Sequence, residues 1–488
     1  MSIPKCCLGL FILLFCMVWI QPASALVPYE SYTYNYWGDP VASPAPYIPE
    51  RIVDGASLGV GSMLEPSDLV TTKDHRIYLL DSGNHRIIQL DDSWKAVKII
   101  DSFTRDGVKD SFLNPSGIYV DDAGLIYVAD TDHGRVVVLD EDGIWVRTIE
   151  NPESDILAAD FKFVPLKITV DRASRVYVVA RGVFEGIMQF DDQGHFLGYV
   201  GTNKVRRDVV DYIWRLISTK AQRSQMALYI PTEFSNVDID HKGFVYATNI
   251  DPGSTEPVKR LNPSGADVLK RYGYFDVKGD INYRIFGANA GPSKLIDVAV
   301  QDGGMYSVLD SLRGRIFTYD EEGNLLYMFG GIGNQMGLFK TPVAIGQVND
   351  RMIVLDRGKA SVVVFKPTAF GREVQHAVQL HAEGNDTAAV ESWKQVLRYN
   401  ANYDIAYIGI GKSLLMEKNN EEALTYFELG MERKNYSVAY KRYRKSVMQE
   451  QFGTFLNVLV IVIAAIVIWV FWRKWKLRRI KPHEAEYL

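Results

Sequence analysis

A cysteine framework is missing from this chain. Its three cysteines, Cys6, Cys7 and Cys16, all fall in the first 25 residues. The rest of the sequence therefore has no thiol for a disulfide, a thiolate metal site or redox chemistry. There is no G-x-S-x-G nucleophile elbow, no H-E-x-x-H zinc helix and no phosphate-binding loop. A formal net charge of −5 over 488 residues gives no electrostatic footprint for nucleic acid, and none is expected as a partner. Long apolar runs are likewise absent, except at the two ends.

Both ends depart from the globular pattern. Lys5 precedes the apolar run Cys6 to Ile20, and Ala23-Ser24-Ala25 has the A-x-A form of a cleavage site, so residues 1–25 are expected to be a signal peptide. A lipidated Cys16 is the rival reading, disfavoured because the bulky Phe15 stands where a small residue is wanted. Residues 454–472 are almost wholly apolar, enough to cross a hydrocarbon core of about 30 Å. Trp469, Trp472 and Trp475 suit the interface, and Arg473, Lys474, Lys476, Arg478, Arg479 and Lys481 make residues 473–488 a basic tail. The expected arrangement is a single-pass protein of the cell membrane, the bulk of the chain outside the cytoplasm and the tail inside. Lys441, Arg442, Arg444 and Lys445 on the other flank weaken the charge bias, so orientation rests on the leader.

Between the ends, one pattern recurs. Residues 115–140 carry three short runs rich in Val, Ile and Tyr, separated by the Asp121-Asp122-Ala123-Gly124 turn and an Asp130-to-Arg135 loop. Aligning copies on the second run gives Tyr78, Tyr127, Tyr177, Tyr246 and Tyr306, with Ile353 in the sixth place. Pro66, Pro115, Pro165, Pro292 and Pro342 mark the start of each copy, and Glu233 takes that place in the fourth. Six copies about 50 residues apart, each expected to hold four strands, predict a mainly β fold, a six-bladed β-propeller over residues 50–367. The sixth copy lacks an outer strand, and Glu50–Asp54 has the character to supply it beside Ser361–Phe365, which closes the ring and removes a sheet edge.

Three segments stand apart from the repeats. Residues 26–49 are rich in Tyr and Pro and show no helix or strand period, which suggests an extended arm lying on the domain. Between the third and fourth copies, residues 205–220 read as an inserted amphipathic helix with Val209, Ile213, Leu216 and Ile217 in one stripe. After the propeller, residues 371–447 turn helical. Small residues at Gly411 and Ala423 and large ones at Tyr407, Leu414 and Phe427 match a tetratricopeptide unit, and Gly384, Ala389, Trp393 and Val396 mark one before it.

The copies resemble NHL repeats, most clearly at Tyr78–Ile87 and Tyr127–Val136. The whole arrangement is similar to exported bacterial NHL proteins that carry tetratricopeptide-like repeats and a membrane anchor. That resemblance implies the fold and leaves function open, because such propellers serve as scaffolds, sensors, RNA binders and hydrolases. RNA binding is a use of cytoplasmic members, which the leader sets aside.

Two functions are weighed. The first is a non-catalytic binding or scaffold protein whose propeller and helical repeats engage a protein or glycan outside the cell, as an accessory to a membrane transporter. It needs no cofactor. The second is a lactonase-like hydrolase with a divalent cation such as calcium in the central channel. The Asp-to-Arg spacing at Asp81/Arg86, Asp130/Arg135 and Asp310/Arg315 is read as a bridge within each loop. The copies that break it are the more informative, so Arg181, Glu233, Asn249 and Arg357 are the ligand-surface candidates. Glu233, Asn249, His85 and His133 are the candidates for a metal. No single motif unites them.

Overall fold

A computed structural model of the chain describes residues 27–158, 160–201 and 233–479. The expected signal peptide, the expected insert helix of residues 205–220 and the end of the basic tail, 480–488, lie outside the described residues. The chain divides into two compact units, residues 27–384 with 395–403, and residues 385–394 with 404 onward.

The first unit is a six-bladed β-propeller. Its inner strands are Asp68–Thr71, Gly117–Val120, Pro165–Val170, Phe234–Ile239, Leu295–Val300 and Pro342–Val348. Each contacts the next, and the last contacts the first, so they form a closed ring. The second strand of each blade is buried on both faces, as at Ile77–Asp81 and Ile126–Asp130, which explains its near-continuous apolar sequence. Tyr78, Tyr127, Tyr246 and Tyr306, aligned in the sequence, are among the largest fully buried side chains.

Ring closure is as the sequence predicts, with a longer seam. The strand Tyr47–Asp54 pairs antiparallel with Ser361–Pro367, from Ser361 opposite Asp54 to Pro367 opposite Tyr47. The sixth blade thereby gains its fourth strand, and its edge is covered. The fourth blade corrects the expectation of four strands throughout. It has three, Phe234–Ile239, Val245–Asn249 and Val258–Leu261. Beyond Leu261 the turn at Asn262-Pro263-Ser264-Gly265 permits only an isolated bridge from Leu261 to Asp267, and Gly265 packs against Gly201 and Val200.

The Tyr-rich arm is more ordered than its composition suggests. Strands β1 (Tyr32–Tyr34) and β2 (Pro40–Ala42) form a hairpin, and β3 (Tyr47–Asp54) is the closing strand. Tyr32 and Tyr34 both donate to Asp280, with the Tyr34 hydroxyl 3.2 Å from Oδ1. Asp280, 1% exposed, also takes Arg315 at 2.5 Å and Arg313 at 3.4 Å. Burial raises both phenols, so they stay protonated donors. Helix α1 (Ala369–Ala382) is capped by Thr368. From it, Gln375 donates to the hydroxyls of Tyr47 and Tyr327 at 2.7 and 3.0 Å.

The second unit is helical. Helices α2 (Asp386–Tyr399, whose last turn lies in the first unit), α3 (Asp404–Met416), α4 (Asn420–Leu429) and α5 (Arg433–Arg479) follow one another. Small residues let them approach: a Cβ on Gly409 would stand 2.4 Å from the Trp393 indole nitrogen, and one on Gly411 2.7 Å from the Phe427 ring. Helix α5 runs unbroken from Arg433 to Arg479, so the last helix of this unit continues into the apolar run. With a mean hydropathy of 2.8 over its most apolar window, it is long and apolar enough to cross a membrane.

Candidate functional site

The ring of inner strands encloses a cavity of about 790 Å³. Pairing with the second strands sets equivalent places around it. The last-but-one residue of each second strand is Leu80, Ala129, Val179, Thr248, Leu309 or Leu355 by blade, and opposite it on the inner strand stand Asp68, Gly117, Lys167, Asn236, Asp297 and Ala344. That inner place is small in two blades and charged or amide-bearing in four.

These four side chains bridge the ring. Lys167 Nζ lies 2.6 Å from Asp68 Oδ1, third blade to first. It can do so because the second blade has Gly117, where a Cβ would meet Leu166 O at 2.4 Å and Lys167 Cα at 2.9 Å. Asn236 donates to Asp297 across the fourth and fifth blades. The carboxylates also cap inner-strand N–H groups that have no ladder partner: Asp68 accepts from Ile118 at 2.9 Å and Asp297 from Ile345 at 2.7 Å. Burial pushes Asp297 up to about 8, with Lys167 opposing and Asp68 adding to the rise. It also raises Asp68, despite the lysine.

Two residues further along each inner strand, the places are Val70, Tyr119, Thr169, Asp238, Ala299 and Gly346. Among the described residues Asp238 accepts from backbone N–H groups alone, Val300 at 3.1 Å and Ile239 at 2.8 Å. Burial pushes it up to about 6, and Asp240 and Asp68 add to the rise. Tyr119 lies beside Thr169, and both burial and the charge of Asp238 raise its phenol. Towards the turns between first and second strands, the cavity reaches Lys73, Asp74, Arg76, Asp121, Asp122 and Glu141. Lys73 pairs with Asp122 at 2.6 Å and Arg76 with Asp74 at 2.8 Å.

The residues singled out in the sequence lie elsewhere, and none lines this cavity: Arg181, Arg357, His85 and His133 follow second strands, Asn249 ends one, and Glu233 precedes the inner strand of the fourth blade. Glu233 accepts the Gly182 N–H at 2.9 Å, next to the exposed Arg181. Asn249 is buried and donates to Glu256 O at 3.1 Å. Arg357 reaches Pro66 O at 3.3 Å. His85 accepts from Asn114 N at 3.1 Å, and His133 pairs with Asp130 at 2.8 Å. Glu233 and Arg181 are thus neighbours, whereas the two histidines are held in the loops of separate blades. Among the described residues no three His, Cys, Asp or Glu side chains come together to hold a metal ion.

The Asp-to-Arg reading holds in two blades and changes in a third. Asp81 meets Arg86 at 2.7 Å and Asp130 meets Arg135 at 2.8 Å. In the fifth blade Asp310 pairs with Arg313 at 3.4 Å instead, and Arg315 turns to Asp280. The aspartates also tie down the segments that lead into the blades. There Asp81, Asp130, Asp310 and Asp356 accept the N–H groups of Leu64, Leu113, Lys294 and Lys340.

The sequence signal for the cavity residues was present two positions after Pro66, Pro115, Pro165 and Pro342, where Asp68, Gly117, Lys167 and Ala344 stand. Comparison of the second strands and the loops after them passes over it. Comparison of the first strands finds it.

Comparisons with known proteins bear on the fold alone. No curated protein matches the sequence. The structure is similar to virginiamycin B lyase from Staphylococcus aureus, at 10% identity over 63% of this chain and 96% of that one, TM-score 0.39. It is similar to a streptogramin B lyase, at 10% identity over 70% and 98% of the two chains, TM-score 0.38. A structural genomics protein of unknown function from Bacteroides thetaiotaomicron is similar at 9% identity over 70% and 76%, TM-score 0.42. Residues 112–139 match the family model of the NHL repeat, and the chain is a six-bladed β-propeller followed by helices, one of them long and apolar.

Proposed function

We propose that this chain is a membrane-anchored, extracytoplasmic binding protein, with the propeller cavity as its ligand site and the tetratricopeptide-like helices as the surface for a protein partner such as a transporter. The observation that carries the reading is the state of the cavity's polar groups. Asp68 is paired with Lys167, and Asp297 is held by Asn236 and backbone N–H groups. Such a lining is fixed in place before a ligand arrives, which suits recognition. The apolar helix α5 supports the anchor, with Trp469, Trp472 and Trp475 and basic residues at its end.

A hydrolase is the second reading, favoured by the weakened acidity of Asp238 and, more strongly, of Asp297. A carboxyl group that holds its proton near neutral pH is the kind that serves as a general acid. One experiment separates the two. The full chain, purified in detergent, is assayed for metal content, for turnover of a lactone panel and for binding to a glycan array. Binding without turnover supports the first reading; turnover that is lost in Asp238→Asn supports the second and overturns the first.

A further inference from the structure

The cavity is unequal on its two sides at the level of Asp238. Blades two, three and four present Tyr119, Thr169 and Asp238; blades five, six and one present Ala299, Gly346 and Val70. Five of these six line the cavity, and the sixth, Thr169, is level with them by register. One half of the wall therefore shows the cavity a phenol and a carboxylate, with the buried Thr169 between them in blade order. The other half is small and apolar.

The polar half is short of partners. No cation pairs with Asp238 among the described residues, and its two hydrogen bonds come from backbone N–H groups. Thr169 is 0% exposed and outside the cavity lining, and its hydroxyl is matched to the Tyr119 phenol. The neighbouring cations are committed: Lys167 to Asp68, Arg260 to Asp240 at 2.6 Å, and Lys73 to Asp122. Asp74, Asp121, Asp122 and Glu141 outnumber Lys73 and Arg76 at the end of the cavity near the strand turns, which favours entry of positive charge.

Resting on the binding reading above, we infer that the cavity takes a small organic ammonium ion, its N–H groups on Asp238 and Tyr119 and its alkyl part against Val70, Ala299 and Gly346. The carboxylate supplies the charge, the phenol oxygen accepts a further N–H group, and the apolar half removes the alkyl chain from water. A bare metal ion leaves the apolar half unused. An anion meets Asp238 without a counter-charge.

The test titrates n-butylammonium chloride into the detergent-purified full chain by calorimetry, with n-butanol as the uncharged probe of the same shape. Expected are saturable binding of the ammonium, at least tenfold weaker binding of butanol, at least tenfold weaker ammonium binding in Asp238→Asn and a smaller loss in Tyr119→Phe. Thermal unfolding and circular dichroism show whether each variant is folded, and Tyr119→Phe, which removes one oxygen, keeps the test open should Asp238→Asn unfold. Equal ammonium binding by wild type and both folded variants overturns the inference, as does equal affinity for butanol. Absence of ammonium binding together with glycan binding that Asp238→Asn weakens overturns the ammonium and leaves the binding site. Absence of both overturns the ammonium and the binding reading together.

Discussion

Lys167 of the third blade and Asp68 of the first are joined across the propeller channel at 2.6 Å, over the position where the second blade has Gly117. The pair lies almost out of water, with side chains 13% and 8% exposed. Removing one member of such a pair costs about 3–5 kcal/mol, because the other charge is left buried alone. Lys167→Met is therefore expected to lower stability by that amount, measured by urea unfolding of the detergent-purified chain. The double variant Lys167→Met with Asp68→Leu is expected to recover most of the loss, since a buried pair is often replaced by apolar residues at little cost. A double variant no better than the single one would place the defect in packing and not in charge.

Asp297 and Asp238 make stability depend on pH. Their folded-state values, about 8 and about 6, lie above the ordinary 3.8 of an aspartate. The folded protein thus holds more protons than the unfolded chain between about pH 4 and 8, and stability falls as pH rises. The contribution is fully present below the unfolded value and lost as pH climbs through the folded ones. Asp54, Asp110 and Glu50, whose acidities shift the opposite way, act below this window. The midpoint of unfolding is expected to drop from about pH 5 to about pH 8, and the drop to shrink in Asp297→Asn. One proton accounts for a slope of about 1.4 kcal/mol per pH unit at most. An Asp297→Asn slope equal to wild type would show that the carboxyl titrates outside this range.

The fold was legible because burial repeats. Tyr78, Tyr127, Tyr177, Tyr246 and Tyr306 recur in one place, and all are buried in second strands. The closing strand was legible from its chemistry, although its start at Tyr47 was hidden by Pro49 and the surrounding tyrosines. The cavity was less legible. A lysine or aspartate at an alternate position of a strand reads as a solvent-facing residue. Only the curvature of the ring turns Asp68, Lys167, Asn236 and Asp297 towards one another. The clasp on the arm was hidden for a different reason: Tyr32 and Asp280 are 248 positions apart, and no local pattern links them.

That clasp is testable. Asp280 is the shared acceptor of Tyr32, Tyr34, Arg313 and Arg315. Asp280→Ala leaves Arg315 without its carboxylate, although Arg313 keeps Asp310, and frees both phenols, at a cost of about 3 kcal/mol or more. The arm is then expected to loosen ahead of the ring, because Tyr47 keeps its stacking on Phe329 at 4.8 Å and its bond to Gln375. Limited chymotrypsin digestion should cut Asp280→Ala at Tyr34, Tyr36 or Trp37 under conditions that spare wild type. Identical digestion patterns would assign the arm's hold to β1 and β2 themselves.

Helix α5 carries the proposed anchor, and its side chains give a way to test it. Val458, Ile461, Val462, Ile466 and Trp469 are all exposed on it, an arrangement that water disfavours and a lipid bilayer does not. In cells, the full chain is expected to stay with membranes after alkaline carbonate extraction, and a chain ending at Phe452 to be released. Deletion alone would also remove a sticky surface, so a point change is the sharper measurement. Ile463→Arg, near the middle of the apolar run, costs about 2.5–3.5 kcal/mol of insertion on the translocon scale. Ile463→Leu has the same bulk and no charge. The anchor predicts partial release of the arginine variant and full retention of the leucine variant. If both are retained alike, the helix is held by a protein partner and not by the bilayer, and the single-pass reading fails.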